Sequence, residues 1–130
     1  MQVRRDTKEY KMLMELLEGN EKPGMEVAET RLGGGKWFGV AHAYATNSRI
    51  IIIRIYTLGV RTSLKMINYK DITEVKVERG LRYCRIHFAL QGEAHETDEN
   101  AKWFNGLRYN EAVELLKFMN RMGARTRIGN

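Results

Sequence analysis

Ala45-Thr46-Asn47-Ser48-Arg49-Ile50-Ile51-Ile52-Ile53-Arg54-Ile55-Tyr56 is a short polar turn opening into an almost unbroken β-branched run. β-Branched side chains lose rotamer freedom in a helix and suit a pleated, buried surface, so the run predicts a central strand. A strand that is apolar on both faces needs cover on both, from a second sheet, a helix or another subunit. Thr46-Asn47 supplies the turn, because Asn tolerates left-handed φ, and Asp71 can bond the backbone at the next one.

Working outward, strands separated by short turns fill 25–107. Met25 to Leu32 alternates loosely. Trp37 to Ala45 places Trp37, Gly39, Ala41, Ala43 and Ala45 on one face, and Phe38, Val40, His42 and Tyr44 on the other. Arg61 to Asn68 and Ile72 to Glu78 alternate as half-exposed strands, and Arg79-Gly80-Leu81 turns into Arg82 to Leu90, whose face of Cys84, Ile86, Phe88 and Leu90 belongs in the core. Ala101 to Leu107 ends the series. Helices flank it. Over 6–18, Tyr10, Leu13, Met14 and Leu17 keep the helical period, with Asp6 or Thr7 as the cap and Gly19-Asn20 as the stop. Over 110–122, Asn110 is the expected cap and Ala112, Leu115, Leu116, Met119 and Met122 the buried stripe, ended by Gly123. The basic tail 124–130 has nothing to pack.

With 130 residues, one domain spanning 1–130 is the expectation, large enough for a core without disulfides or metals. No apolar run approaches the roughly 18 residues of a membrane span. The charged amino terminus and the single cysteine, Cys84, predict a cytoplasmic protein. The net charge of +6 is unevenly spread. Glu93, Glu96, Asp98 and Glu99 fall in 93–99 without one Lys or Arg, which leaves +10 (22 basic minus 12 acidic) on the rest. A polyanionic partner follows from such a body, and so does plain solubility.

Chemistry-bearing constellations are scarce. His42, His87 and His95 have no second ligand at metal spacing, and the acidic stretch reads as a solvated loop. Cys84 sits on an apolar face, where burial raises a thiol's pKa and blocks access. Gly33-Gly34-Gly35-Lys36 is not a phosphate loop, because Trp37 follows the lysine and the spacer between glycines is missing. The sequence therefore predicts no enzyme, no metal and no cofactor.

Ala45 to Ile52, Ile67-Asn68-Tyr69-Lys70-Asp71-Ile72-Thr73-Glu74-Val75, and Gly80-Leu81 before an alternating strand and a final helix together resemble the prokaryotic pleckstrin-homology-like domains, in particular the YokE-like group, over about 25–122. The resemblance implies a mainly β fold: a bent seven-stranded sandwich or open barrel closed by the C-terminal helix, to which this chain adds an N-terminal helix. Eukaryotic relatives bind phosphoinositides through a basic motif across the first two strands. Here that place is Arg31 to Phe38, and Phe38 stands where an alternating arginine is needed, so no specific phosphoinositide site is expected.

Two binding surfaces follow. A protein–protein or homo-oligomeric module would use the second face of the isoleucine strand, with Ile50, Ile51, Ile52, Ile53, Leu13 and Leu17 as the subunit interface. A peripheral binder of anionic membrane or nucleic acid would use Arg79, Arg82, Tyr83, Arg85 and His87 on one hairpin, with Lys36 and Trp37 on the glycine-rich loop, since arginine interleaved with tyrosine suits phosphate contact and stacking. Protein partner or self is the first expectation and the polyanion the alternative.

Overall fold

The computed structural model describes residues 2–29, 40–55, 62–91 and 103–124. Among these residues, seven strands form two antiparallel sheets. The first has the order β1 (Pro23–Ala28), β2 (Ala41–Thr46), β3 (Arg49–Ile55), β4 (Thr62–Asn68); the second has β5 (Ile72–Arg79), β6 (Cys84–Leu90), β7 (Trp103–Leu107). A 3-10 turn, Tyr69–Asp71, carries the chain between the sheets, and the helices α1 (Lys8–Leu16) and α2 (Tyr109–Arg121) flank the strands.

The register explains how one strand serves two cores. Ile50 lies opposite Ala45 and Ile67, and Ala45 opposite Met25, so this row faces inward. It packs with Val75, Val77, Ile86 and Phe88 of the second sheet and with Leu115, Leu116 and Met119 of α2. Small side chains at Ala41, Ala43 and Ala45 leave room for α2, which contacts β1, β2 and β6. The odd-numbered isoleucines point the other way. Ile51 lies beside Tyr44 and Met66, and Ile53 beside His42 and Leu64, and this outer face is covered by α1. Leu13, Tyr44, Ile51 and Ile53 are all fully buried there. The isoleucine strand is thus β-branched on both faces because it lies between a sheet and a helix of its own chain.

That packing corrects the expected subunit interface. Ile50, Ile51, Ile53 and Leu13 are buried within the chain, while Ile52 and Leu17 are half-buried against the two cores, so the second face of the strand is closed rather than open to a neighbour.

Element ends shift for local reasons. Thr7, not Asp6, caps α1, its hydroxyl accepting the Tyr10 N–H at 3.1 Å. The helix stops at Leu16, before Gly19, because Leu17 adopts extended backbone. α2 begins two residues earlier than the Asn110 cap predicts: Arg108 is the N-cap, and its N–H donates to the Glu111 carboxylate at 3.3 Å. β2 begins at Ala41, and 37–39 lie outside the described residues.

One glycine sets the approach of α2. A Cβ on Gly24 would lie 2.6 Å from Cε2 of Phe118 and closer still to Cζ, at the point where the β1 register slips between Pro23 and Met25. Gly24→Ala is expected to destabilise the protein by about 1–3 kcal/mol through overpacking. In a Phe118→Ala background the penalty should largely vanish, and a denaturant-melt double-mutant cycle measures that coupling.

Candidate interaction surface

The basic candidates cluster at the β5–β6 hairpin. Glu78 and Arg79 lie opposite Arg85 and Cys84 in the ladder, and the Gly80 N–H donates to the Tyr83 carbonyl at 2.9 Å to close the turn. That closure needs glycine, because a Cβ at position 80 would meet the same carbonyl oxygen at 2.9 Å. Between the two turn ends stand Leu81 and Arg82. Leu81 has a relative exposure of 106%, so no described residue covers its side chain, and Arg79 and Arg82 are exposed on either side of it.

The second sheet adds two residues that sequence reasoning missed. Leu107 pairs with Cys84, which places the next residue, Arg108, level with Tyr83 at the hairpin tip. Tyr109 then receives Arg79, whose guanidinium carbon lies 4.0 Å from the ring centroid. Such a stack orients the guanidinium while leaving its N–H groups free to point outward. The tip therefore gathers Arg79, Arg82 and Arg108 around Leu81, Tyr83 and Tyr109. Nothing local in 103–109 could have announced this, because only the β6–β7 register sets those residues beside the turn.

The other candidates sit elsewhere. Arg85 lies on the outer face of the second sheet, 3.8 Å from Glu78, which is also 4.0 Å from Lys76. His87 lies further along the same strand, opposite Lys76. These alternating charges make an ordinary solvated face. Lys36 and Trp37 lie outside the described residues, as do Arg61, His95, the acidic stretch 93–99 and the tail from 125. Cys84 is buried behind the tip, and burial pushes its thiol upward against the opposing pull of Arg79.

Most other polar side chains that the fold buries are committed to holding it together. The Glu26 carboxylate is 2.6 Å from His42 Nδ1 and accepts the Arg4 N–H at 2.7 Å; burial pushes its pKa up, but these contacts outweigh it and hold the group low. Glu9 of α1 stands 3.8 Å from the other ring nitrogen of His42, so the imidazole bridges helix and sheet. Glu29 pairs with Arg54 at 2.8 Å and accepts the Ala41 N–H at 3.1 Å. The Tyr44 hydroxyl is buried without a hydrogen-bond partner among the described residues, under the helix. Among those residues no three His, Cys, Asp or Glu side chains are placed to hold a metal ion, and no helix is long and apolar enough to cross a membrane.

Three large apolar side chains remain exposed on the α1 layer: Met14 of the helix at 50%, and Leu64 and Met66 of edge strand β4 at 42% and 48%. Leu64 and Met66 extend the rows of Ile53 and Ile51 past the edge of the helix.

A family model described as bacterial PH domain matches residues 39–117, which takes in the strands from β2 onward and most of α2. The crystal structure of a DUF1696 family protein with a pleckstrin-homology domain, from Shewanella loihica, is similar with a TM-score of 0.61 and 19% identity, over 93% of this chain and 98% of that one. At that identity the likeness concerns the fold. No curated protein matches the sequence.

Proposed function

Since the chain belongs to the bacterial PH-domain family, we propose that it is a non-enzymatic, cytoplasmic binding module whose hairpin tip docks on an anionic membrane surface. The observation that carries this reading is Leu81, fully exposed between Arg79 and Arg82. An aliphatic side chain held out in solvent gains free energy on entering an apolar phase, and arginines around it suit phosphate headgroups. Nucleic acid would use the arginines and leave Leu81 without a role. The Arg79 stack on Tyr109 adds a ring that suits the headgroup level.

Flotation with vesicles of phosphatidylcholine and phosphatidylserine tests it. Binding is expected at low salt and not to phosphatidylcholine alone. Each arginine near an anionic surface contributes about 1 kcal/mol, so Arg79→Ala with Arg82→Ala should weaken binding roughly thirtyfold, and Leu81→Ser should weaken it further. No flotation at low salt, or a duplex or single-stranded nucleic acid bound with full affinity by Leu81→Ser, would overturn it.

A second reading, association with another protein or another copy, is supported by the exposed Leu64 and Met66 on a sheet edge. Light scattering of Leu64→Lys with Met66→Lys against the parent chain separates it from the first reading, because those positions lie in the other sheet.

A further inference from the structure

A single ring joins α1 to the sheet beneath it. Glu9 stands one helical turn before Leu13, the fully buried residue of α1, and its own side chain is only 17% exposed. His42 of β2 meets it there. The imidazole is 14% exposed, with Nδ1 2.6 Å from Oε2 of Glu26 in β1 and Nε2 3.8 Å from Oε2 of Glu9. Both ring nitrogens therefore face carboxylates. A neutral imidazole carries one N–H and a charged one carries two. The short contact with Glu26 takes the Nδ1 proton, so in the neutral ring the Nε2 lone pair is turned toward the Glu9 carboxylate and the two repel. In the imidazolium each carboxylate receives an N–H.

The surroundings leave this charge to His42. From the segment before α1, Arg4 gives Glu26 its backbone N–H at 2.7 Å, while its guanidinium turns to Asp6 at 3.7 Å. β3 lays Ile53 opposite His42, and the following Arg54 pairs with Glu29 at 2.8 Å. Within β2, the Tyr44 ring lies nearly parallel to the imidazole with centroids 6.3 Å apart. Burial, with Glu26 and Glu9 close by, pushes its phenol up, so Tyr44 brings no charge of its own.

We propose that His42 is a proton-operated latch for α1: charged, it holds Glu9 and with it the helix against the sheet, and neutral, it lets the helix go. Docking brings a carboxylate to the ring and so favours the bound proton. The contact is therefore present at low pH and lost as pH rises through the imidazole range, about pH 6 to 8. α1 has 9 residues and does not persist undocked. Its release opens the outer face of the isoleucine strand, where Tyr44, Ile51 and Ile53 are fully buried under it. The latch thus makes exposure of an apolar sheet face depend on pH, at the opposite sheet from the hairpin tip.

Limited proteolysis of the N-terminal segment tests it, with the full-length wild-type chain and His42→Gln compared between about pH 5.5 and 8.5, on either side of that range. The ratio of their cleavage rates at each pH cancels the protease's own pH dependence. Glutamine is neutral throughout, so at the acid end the wild-type chain should be cut about fivefold more slowly, the effect of one of the stronger surface ion pairs. At the alkaline end the two rates should converge. Glu9→Gln, set against His42→Gln in the same way, should give a ratio that does not change with pH. NMR of the wild-type chain covers the case in which a variant fails to fold. The His42 ring nitrogens report the imidazolium and its conversion to the neutral Nδ1–H form, and the Leu13 and Leu16 amide resonances should move over the same pH interval. A wild-type ratio that is constant with pH, a Glu9→Gln chain that keeps the full pH dependence, or a ring that titrates while the α1 amides stay unmoved would each overturn the proposal.

Discussion

Glu21→Ala is expected to cost about 3–5 kcal/mol of stability, the penalty for leaving one partner of a buried ion pair behind. The Glu21 side chain is 4% exposed and that of Arg49 11%. Arg49 donates to the carboxylate through Nε at 2.8 Å and Nη2 at 3.0 Å, and the Thr46 and Ser48 hydroxyls donate to it at 2.7 and 3.2 Å. The same Nη2 donates to the Leu16 carbonyl at 2.7 Å. One carboxylate therefore ties the end of α1 and the approach to β1 to the turn between β2 and β3. Without it, Arg49 keeps its charge in a nearly closed site. Thermal melts should show a drop of roughly 10–20 °C. Glu21→Gln, which keeps the shape and one acceptor, should fall between. A variant as stable as the parent would mean that the cluster is solvated and contributes nothing.

The same group sets an acid limb. Burial pushes the Glu21 carboxyl up, but the hydrogen bonds from Arg49, Thr46 and the Glu18 N–H, with the charge of Arg49, bring it down from 4.5 to about 2. A carboxylate lowered in the folded state adds stability above its unfolded pKa and loses it as pH falls toward the folded one. The window is therefore pH 4.5 to about 2, and the loss is about 3 kcal/mol. In Glu21→Ala that part of the pH dependence should disappear, which denaturant melts across the window measure directly.

Leu13→Asp should release α1 altogether. Leu13 is the one fully buried residue of a helix of 9 residues, and so short a helix does not persist without its docking face. A core leucine truncated to alanine typically costs 2–5 kcal/mol, and a buried unpaired carboxylate costs more, so undocking becomes the cheaper outcome. The expected signature is local. Limited proteolysis should remove the N-terminal segment while the second sheet stays protected in hydrogen exchange, and Tyr44, Ile51 and Ile53, fully buried in the parent, should then bind a hydrophobic dye. If the segment stays protease-resistant, the helix is held by Arg49, His42 and Glu9 and not by Leu13.

How much of this could be read from the chain follows from the range of each interaction. Alternation and turn chemistry are local, so seven strands, two helices, the polar turn before the isoleucines and the burial of Cys84 were legible. Caps depend on one or two hydrogen bonds, and there pattern and structure differ: Glu111 bonds the Arg108 N–H, so α2 starts a residue before the good capping residue Asn110. The basic hairpin was legible in part. Arg79, Arg82 and Tyr83 do lie together at its tip, but Arg85 and His87 lie back along the strand among compensating charges, and Arg108 and Tyr109 join the tip only through pairing with a strand about twenty residues later.

The isoleucine run marks the boundary most clearly. By itself the sequence determined that this is a strand covered on both sides, because four β-branched residues in succession suit a buried pleated surface better than a helix and leave neither face polar. Which side faces what was beyond it, since a period of two assigns alternate residues to opposite faces without naming either. Tertiary structure decided that Ile50 enters the sandwich and that Ile51 and Ile53 lie under α1, through contacts between Leu13 and positions some forty residues away. Local pattern fixes that a surface must be buried; only the folded chain, by what it brings there first, fixes what buries it.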